Sequence, residues 1–186
     1  MADEPTLGAR LAGFAVRSAT DGIPAEVAAS VRQRVLDVLG LCVAAHRLET
    51  SAAIIEHLLD QGGNPQAHIV GVPGPVTAAQ AAFGNGVLAH SLDYDDTHLP
   101  SVLHPSASVV PAALAAAGHA GADGEQTVRA IAVGLEVAVR LGMAGYDRKL
   151  GNSVFFEHGQ HATSITGAMG SAVAASMLYG ADAKGI

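Results

Sequence analysis

An all-α fold, a single helical-bundle domain of about seven helices spanning residues 1–186, is what this sequence predicts. Apolar residues recur at helical spacing in successive segments along the chain. The apolar content is mostly Ala, Val and Leu, small side chains that let helices approach closely. No internal repeat or low-complexity linker divides the 186 residues, a length that suits one domain with a substantial core.

Thr6 is placed to cap a first helix whose Leu7, Leu11, Phe14 and Ala15 share a face, ending at Thr20-Asp21-Gly22. Pro24 suits the first turn of a second, which runs to about Ala45 with Val27, Val31, Val35, Val38 and Leu39 as its stripe. Thr50 or Ser51 caps a third, which runs through Leu59 and stops at Gln61-Gly62-Gly63. Asn64 to Pro73 is turn-rich, with a brief strand at His68-Ile69-Val70. The fourth helix, Val76 to about His90, contains Gly84 and Gly86. Each costs about 1 kcal/mol against Ala, a cost accepted where another backbone packs closely. Ser91 to Pro105 lacks helical periodicity. The fifth helix follows from Ser106 to Ala120, where Pro111 demands a kink or a place near the start. Gly124 opens the sixth, with Val128, Ile131, Val133, Leu135, Val137 and Leu141 apolar. A polar stretch, Asp147 to His158, leads into the seventh, Ala162 to Leu178, whose Gly167, Ala168, Gly170, Ala174 and Ala175 form a smooth contact surface. Asp182 is placed to cap one more helix, just where the chain stops.

Composition narrows the function classes. With 49% hydrophobic and 15% charged residues, the chain is no disordered segment. A mean hydropathy of +0.32 exceeds what a comfortable monomer carries, so an interface with another chain is expected. That chain is a second copy or one that carries a remaining half. The net charge is −7 with Lys and Arg scattered, so nucleic acid is not the expected partner. The longest clean apolar run, Val38 to Ala45, falls short of the ~20 residues a membrane span needs. Met1 to Pro5 lacks signal-peptide character, and Cys42 reads as a small buried hydrophobe in a reducing compartment, so a cytoplasmic location is expected.

Chemistry concentrates in two places. Ser91-Leu92-Asp93-Tyr94-Asp95-Asp96-Thr97-His98, followed by His104-Pro105-Ser106, sets three carboxylates and two imidazoles in one loop between apolar helices. Singly these read as helix caps, Asp93 or Asp95 closing one helix and Ser106 opening the next. Together, crowded carboxylates mark functional sites. Asp93, Asp95 and His98 are within reach of a common metal ion. The spacing fails the calcium-loop template, however, with His98 at the Gly position and His104 at the Glu position, and no metal is expected. The second cluster, His158-Gly159-Gln160-His161-Ala162-Thr163, opens the last helix, where free amides and a partial positive charge suit a carboxylate and disfavour a protonated His. His158 reads here as decoration of the helix start. No Gly-x-Ser-x-Gly is present, and neither Gly71-Val72-Pro73-Gly74 nor Gly84-Asn85-Gly86 is a phosphate-binding signature, so no nucleotide cofactor is expected.

These motifs resemble the MmgE/PrpD family of 2-methylcitrate dehydratase, cis-aconitate decarboxylase and iminodisuccinate epimerase. The carrying residues are Ala81-Ala82-Phe83-Gly84-Asn85-Gly86, His90-Ser91-Leu92-Asp93-Tyr94-Asp95-Asp96-Thr97, His104-Pro105-Ser106 with Pro111-Ala112-Ala113-Leu114, Gly134-Leu135-Glu136-Val137, and Gly167-Ala168-Met169-Gly170-Ser171-Ala172. The resemblance implies a helical domain beside a separate lid, usually in a homodimer, with the active site between them. It implies cofactor-free dehydration, decarboxylation or epimerisation of small polycarboxylates by proton transfer next to a carboxylate. In similar decarboxylases the site residues match Asp93, Thr97, His104 and His161, with Asp96, His98 and His158 as further candidate substrate contacts. A lysine and the lid residues of such enzymes fall beyond position 186. The chain departs from many relatives at Ala162, often Pro, and at His98, often aromatic.

The chemistry matches these residue types. A proton next to a carboxylate is weakly acidic, so the developing dianion needs donors or cations. His104 and His161 suit proton transfer at neutral pH. Thr97 suits donation to a substrate carboxylate, and Asp93 suits orienting a His or taking a leaving group's proton. Cations near in sequence are few: Arg140, Arg148 and Lys149. A non-catalytic assembly subunit and a metal-dependent hydrolase are the competing readings.

Overall fold

The computed structural model describes residues 4–186, and Met1 to Asp3, part of the terminus read above, lie outside them. The all-α expectation holds: eight α-helices and two two-residue hairpins make up the described chain. In order these are α1 Leu7–Asp21, α2 Ala25–Ala45, α3 Glu49–Asp60, β1 Ala67–His68, β2 Pro75–Val76, α4 Ala78–His90, α5 Pro105–Ala120, α6 Gly124–Ala144, β3 Tyr146–Asp147, β4 Asn152–Ser153, α7 Val154–Glu157 and α8 Ala162–Leu178. Thr6 caps α1 as expected, accepting from the Ala9 amide at 3.2 Å.

Four expectations change. The eighth helix is α7, a single turn inside the polar stretch, opened by the Ser153 hydroxyl and preceded by the β3–β4 hairpin. The third helix starts earlier, at Glu49, with no side-chain cap. Ser51 is instead buried and donates to the Ser91 hydroxyl at 3.4 Å, tying α3 to the end of α4. The fourth starts later, because Val76 pairs with Ala67 in a hairpin, and Thr77 and Gln80 then form a reciprocal capping box. The strand expected at His68-Ile69-Val70 is cut short by Asn85. Its side chain accepts from the Val70 amide at 2.8 Å and donates to the His68 carbonyl at 3.0 Å, so it replaces a neighbouring strand.

Helix α5 lies at the centre, packed against α4 on one side and α8 on another, with α6 closing against α8. It is mostly apolar, as a largely buried helix must be, and Val109, Val110, Pro111 and Ala113 are inaccessible to solvent or nearly so. Pro111 sits inside α5 rather than at its start and leaves the Ala107 carbonyl without its helical donor. Gly86 of α4 runs beside that oxygen: a Cβ on Gly86 would lie 3.7 Å from it. Helices α6 and α8 meet at two glycines. A Cβ on Gly134 would stand 2.6 Å from the Gly170 carbonyl, and one on Gly170 would stand 2.5 Å from the Gly134 carbonyl. In α2 the buried seam is Val31, Val38, Leu41, Cys42 and Ala45, while Val27 faces solvent. Burial pushes the Cys42 thiol up to about 11, as expected of a core cysteine. Among the described residues no single helix is long and apolar enough to cross a membrane.

Two glycine-to-alanine changes should have opposite signs. Gly134→Ala forces a methyl into a carbonyl and should cost at least about 1–3 kcal/mol, lowering the thermal midpoint measured by circular dichroism. Gly40→Ala, on the exposed side of α2 with nothing near its would-be Cβ, should stabilise by about 0.5–1 kcal/mol. Equal midpoints for the two variants would mean that α6 and α8 do not cross at these glycines.

Candidate active site

The loop between α4 and α5 is held rigidly at both of its bends. Asp93 adopts the left-handed region, at φ 52°, directly after α4 ends. A one-turn 3-10 helix, Leu99–Ser101, then closes through Val102, also at φ 52°. A β-branched residue there is strained by about 1–3 kcal/mol and needs fixed surroundings. These are supplied by the bond from the His98 amide to the Leu103 carbonyl at 2.9 Å and by the burial of Ser101 and Leu103. Gly142 of α6 makes room for both buried residues, since a Cβ on it would collide with Leu103 and Ser101.

Asp96 anchors the loop to the start of α5. Its carboxylate accepts from the Ser106 amide at 3.0 Å and the Ser106 hydroxyl at 2.9 Å, and it pairs with Arg34 of α2. An acid at a helix N-terminus satisfies free amides and complements the helix dipole. So α5 is capped not by Ser106, as expected, but by a carboxylate ten residues earlier.

Asp95 points the other way, into a cluster of imidazoles. Its side chain is fully buried, and both carboxylate oxygens meet His90 Nδ1, at 3.0 and 3.1 Å. The Asp95 carbonyl meets His104 Nδ1 at 3.2 Å, and Thr97 Oγ1 lies 3.4 Å from the same nitrogen. His104 Nε2 is 4.0 Å from Asp93 Oδ1, and the His104 amide donates to Thr163 Oγ1 of α8 at 3.1 Å. The His90 and His104 ring centres are 5.3 Å apart. His161, at the N-terminus of α8, stacks on His90 at 6.2 Å and lies 6.1 Å from the ring of Phe156 of α7. A cavity of about 740 Å³ lies over the cluster, lined by His90, His161, Thr163, Ser164, Ser108 and Phe83 among others. The first turn of α8 has no side-chain cap there.

The structure therefore gathers Asp93, Thr97, His104 and His161, from two distant stretches of chain. It places Asp96 and His98 elsewhere. Asp96 has both oxygens occupied, and His98 bonds Ser101 through Nδ1 at 2.7 Å and lines a separate cleft with Arg34 and Glu136. His158 is exposed at the end of α7. The sequence reading missed His90 and Asp95 as a pair, although a His and an Asp five residues apart across a helix end are within reach of each other. It named Thr163 within the second cluster but gave it no role, and its bond to the His104 amide is long-range. Among the described residues, those within reach of one cation are His90, Asp93 and Asp95, with candidate ligand atoms all within 4.8 Å, and not the set with His98 weighed above.

The fold and site define a helical domain with a carboxylate–imidazole cluster at the mouth of an open cavity. Residues 9–186 match the MmgE/PrpD N-terminal domain, and the chain belongs to the MmgE/PrpD family. It is 33% identical over 174 residues to cis-aconitate decarboxylase of Mus musculus, covering 90% of this chain and 33% of that protein. It is 31% identical over 154 residues to cis-aconitate decarboxylase of Homo sapiens, covering 80% of this chain and 31% of that one. The chain thus spans about a third of the length of these relatives.

The two neighbouring aspartates should separate by stability. Asp96→Ala strands the Ser106 amide and Arg34, and should cost about 1–3 kcal/mol in chemical denaturation. Asp93→Asn, at an exposed left-handed position that Asn tolerates, should stay within about 0.5 kcal/mol. A neutral Asp96→Ala would mean that the anchor to α5 is not formed.

Proposed function

We propose that this chain provides the proton-transfer half of a cofactor-independent lyase or isomerase acting on a small polycarboxylate. The observation that supports it most is the clustering of three imidazoles, with His90 and His161 lining one cavity beside the uncapped start of α8 and His104 packed against His90. Free first-turn amides attract a substrate carboxylate. Its neighbouring C–H bond then breaks, the proton passing to His104 or His161 and the electron pair into a dianion shared by the amides and the Thr97 hydroxyl. In dehydration that pair forms the C=C bond as the β-hydroxyl leaves with a proton supplied by the second imidazole. In decarboxylation the carbanion arises by loss of CO₂ and takes a proton from an imidazolium. In epimerisation the proton returns on the opposite face. Asp93, exposed and 4.0 Å from His104 Nε2, supports the reading as a group that orients His104.

A di- or triacid also needs cations, and the nearest arginine to the loop, Arg34, is engaged by Asp96. We infer that a cation and a cover for the cavity come from another part of the protein or a partner subunit, either a second copy or a chain with the remaining part. Exposed apolar residues around the site, Phe83, Tyr94, Ile165 and Met169, favour such a cover. A cytoplasmic setting, with no nucleic acid or membrane as partner, belongs to the same reading. The competing metal-dependent hydrolase draws on the His90, Asp93, Asp95 group, and chelation separates the two.

In an active assembly, His104→Ala and His161→Ala should each reduce turnover by about 10²-fold or more on 2-methylcitrate, citrate, cis-aconitate or iminodisuccinate, with His158→Ala much milder. Turnover should survive chelator dialysis. Undiminished turnover in both the His104 and His161 variants would sink the proton-transfer reading, and turnover lost to chelator and restored by zinc or manganese would replace it with the hydrolase.

A further inference from the structure

We propose that Asp95 is a positioning residue that sets the hydrogen-bond polarity of two imidazoles at once, presenting both His90 Nε2 and His104 Nε2 as bare proton acceptors. No comparison or motif assigns this role. It deepens the proton-transfer reading and rests on that reading for its use in catalysis, although the polarity itself does not.

The inference follows from what each atom is able to do. A buried carboxylate is tolerated only with hydrogen-bond partners, and an ionised carboxylate accepts but never donates. Both Asp95 oxygens meet His90 Nδ1, so that nitrogen must carry the proton. A neutral imidazole has one N–H, so His90 Nε2 is left with its lone pair. The same logic applies to His104 through a different atom. A main-chain carbonyl also only accepts, so His104 Nδ1, 3.2 Å from the Asp95 carbonyl, must donate, and its Nε2 is bare. Thr97 Oγ1, 3.4 Å from that nitrogen, then shares the His104 proton as acceptor and keeps its own hydrogen free for a ligand.

One residue thus holds two rings in the tautomer that is the minor one for histidine free in water. Its carboxylate serves His90, and its backbone carbonyl is the nearer acceptor for His104 Nδ1, which also lies 3.7 Å from the same carboxylate. His90, 37% exposed at its side chain, borders the cavity between His104 and His161. It is therefore a third imidazole available to the reaction, beyond the two that the loop and helix motifs mark. The carboxylate behind it stabilises the imidazolium that forms once Nε2 takes a proton.

The test is long-range proton–nitrogen correlation spectroscopy on this chain, with ¹⁵N-labelled histidine, under conditions where the rings are neutral. In the unsubstituted chain His90 and His104 should both show a protonated Nδ1 and an unprotonated Nε2. In Asp95→Ala, His90 should shift to the Nε2-protonated form, while His104, held by the main chain, keeps its Nδ1 proton. A purely structural role for Asp95 would instead disturb both rings together or neither. An Nε2-protonated His90 in the unsubstituted chain overturns the proposal, as does an Asp95→Ala variant whose His90 keeps the Nδ1 proton. Should Asp95→Ala fail to fold, the unsubstituted spectrum alone still decides. Because no turnover is read, failure of the catalytic reading leaves this result standing, and failure here leaves the roles of His104 and His161 open to their own assay.

Discussion

Helices α6 and α8 cross where Gly134 and Gly170 each press against the other's carbonyl, and the site depends on that crossing. Dispersion contacts fall off steeply with distance, so packing backbone on backbone is worth the helix propensity that two glycines forfeit. The same contact face of α8 sets Gly167 against Ser108 of α5, which fixes the rotation as well as the spacing of α8. Rotation decides which way the first turn of α8 looks, and hence where His161 and Thr163 stand. About two helical turns further along α6, Gly142 admits Leu103 and Ser101, so the same helix seats the loop that carries His104. Small residues on α6 thus place both halves of the cluster.

Two adjacent aspartates then divide the work of the loop. Asp95 faces the imidazoles and Asp96 faces Arg34 and the start of α5. Asp96 is satisfied by the Ser106 amide, the Ser106 hydroxyl and Arg34, and Asp95 by His90 Nδ1 on both oxygens, as a carboxylate removed from water requires. Among the described residues no buried side-chain nitrogen or oxygen lacks a hydrogen-bond partner. Two left-handed residues, Asp93 and Val102, bracket this segment, and the packing around Ser101 and Leu103 offsets the strain at Val102. A loop held this way presents its side chains with the precision usually found on helices and strands.

Membership of the MmgE/PrpD family rests on nearly the whole chain, while the chain corresponds to about a third of its decarboxylase relatives. The cluster gathers several imidazoles and carboxylates, and the arginine beside it, Arg34, is paired with Asp96. The open cavity has apolar side chains around its rim.

The sequence alone determined the fold class and the number of long helices, because 3.6-residue periodicity and Gly and Pro stops are local properties. The density of Asp and His in short stretches marked two clusters, and the family resemblance pointed to Asp93, Thr97, His104 and His161 within them. Helix starts were legible where the cap is nearby in sequence, as at Thr6. They were misread where it is not: Ser51 went to Ser91, and the carboxylate at the start of α5 came from Asp96. Only the tertiary structure decided that Asp95 faces His90 while Asp96 faces Arg34, and that His98 leaves the cluster for Ser101. Neighbouring residues of one type look alike in sequence. Which of them becomes buried, and against what, is set by backbone direction and by partners up to 62 positions away.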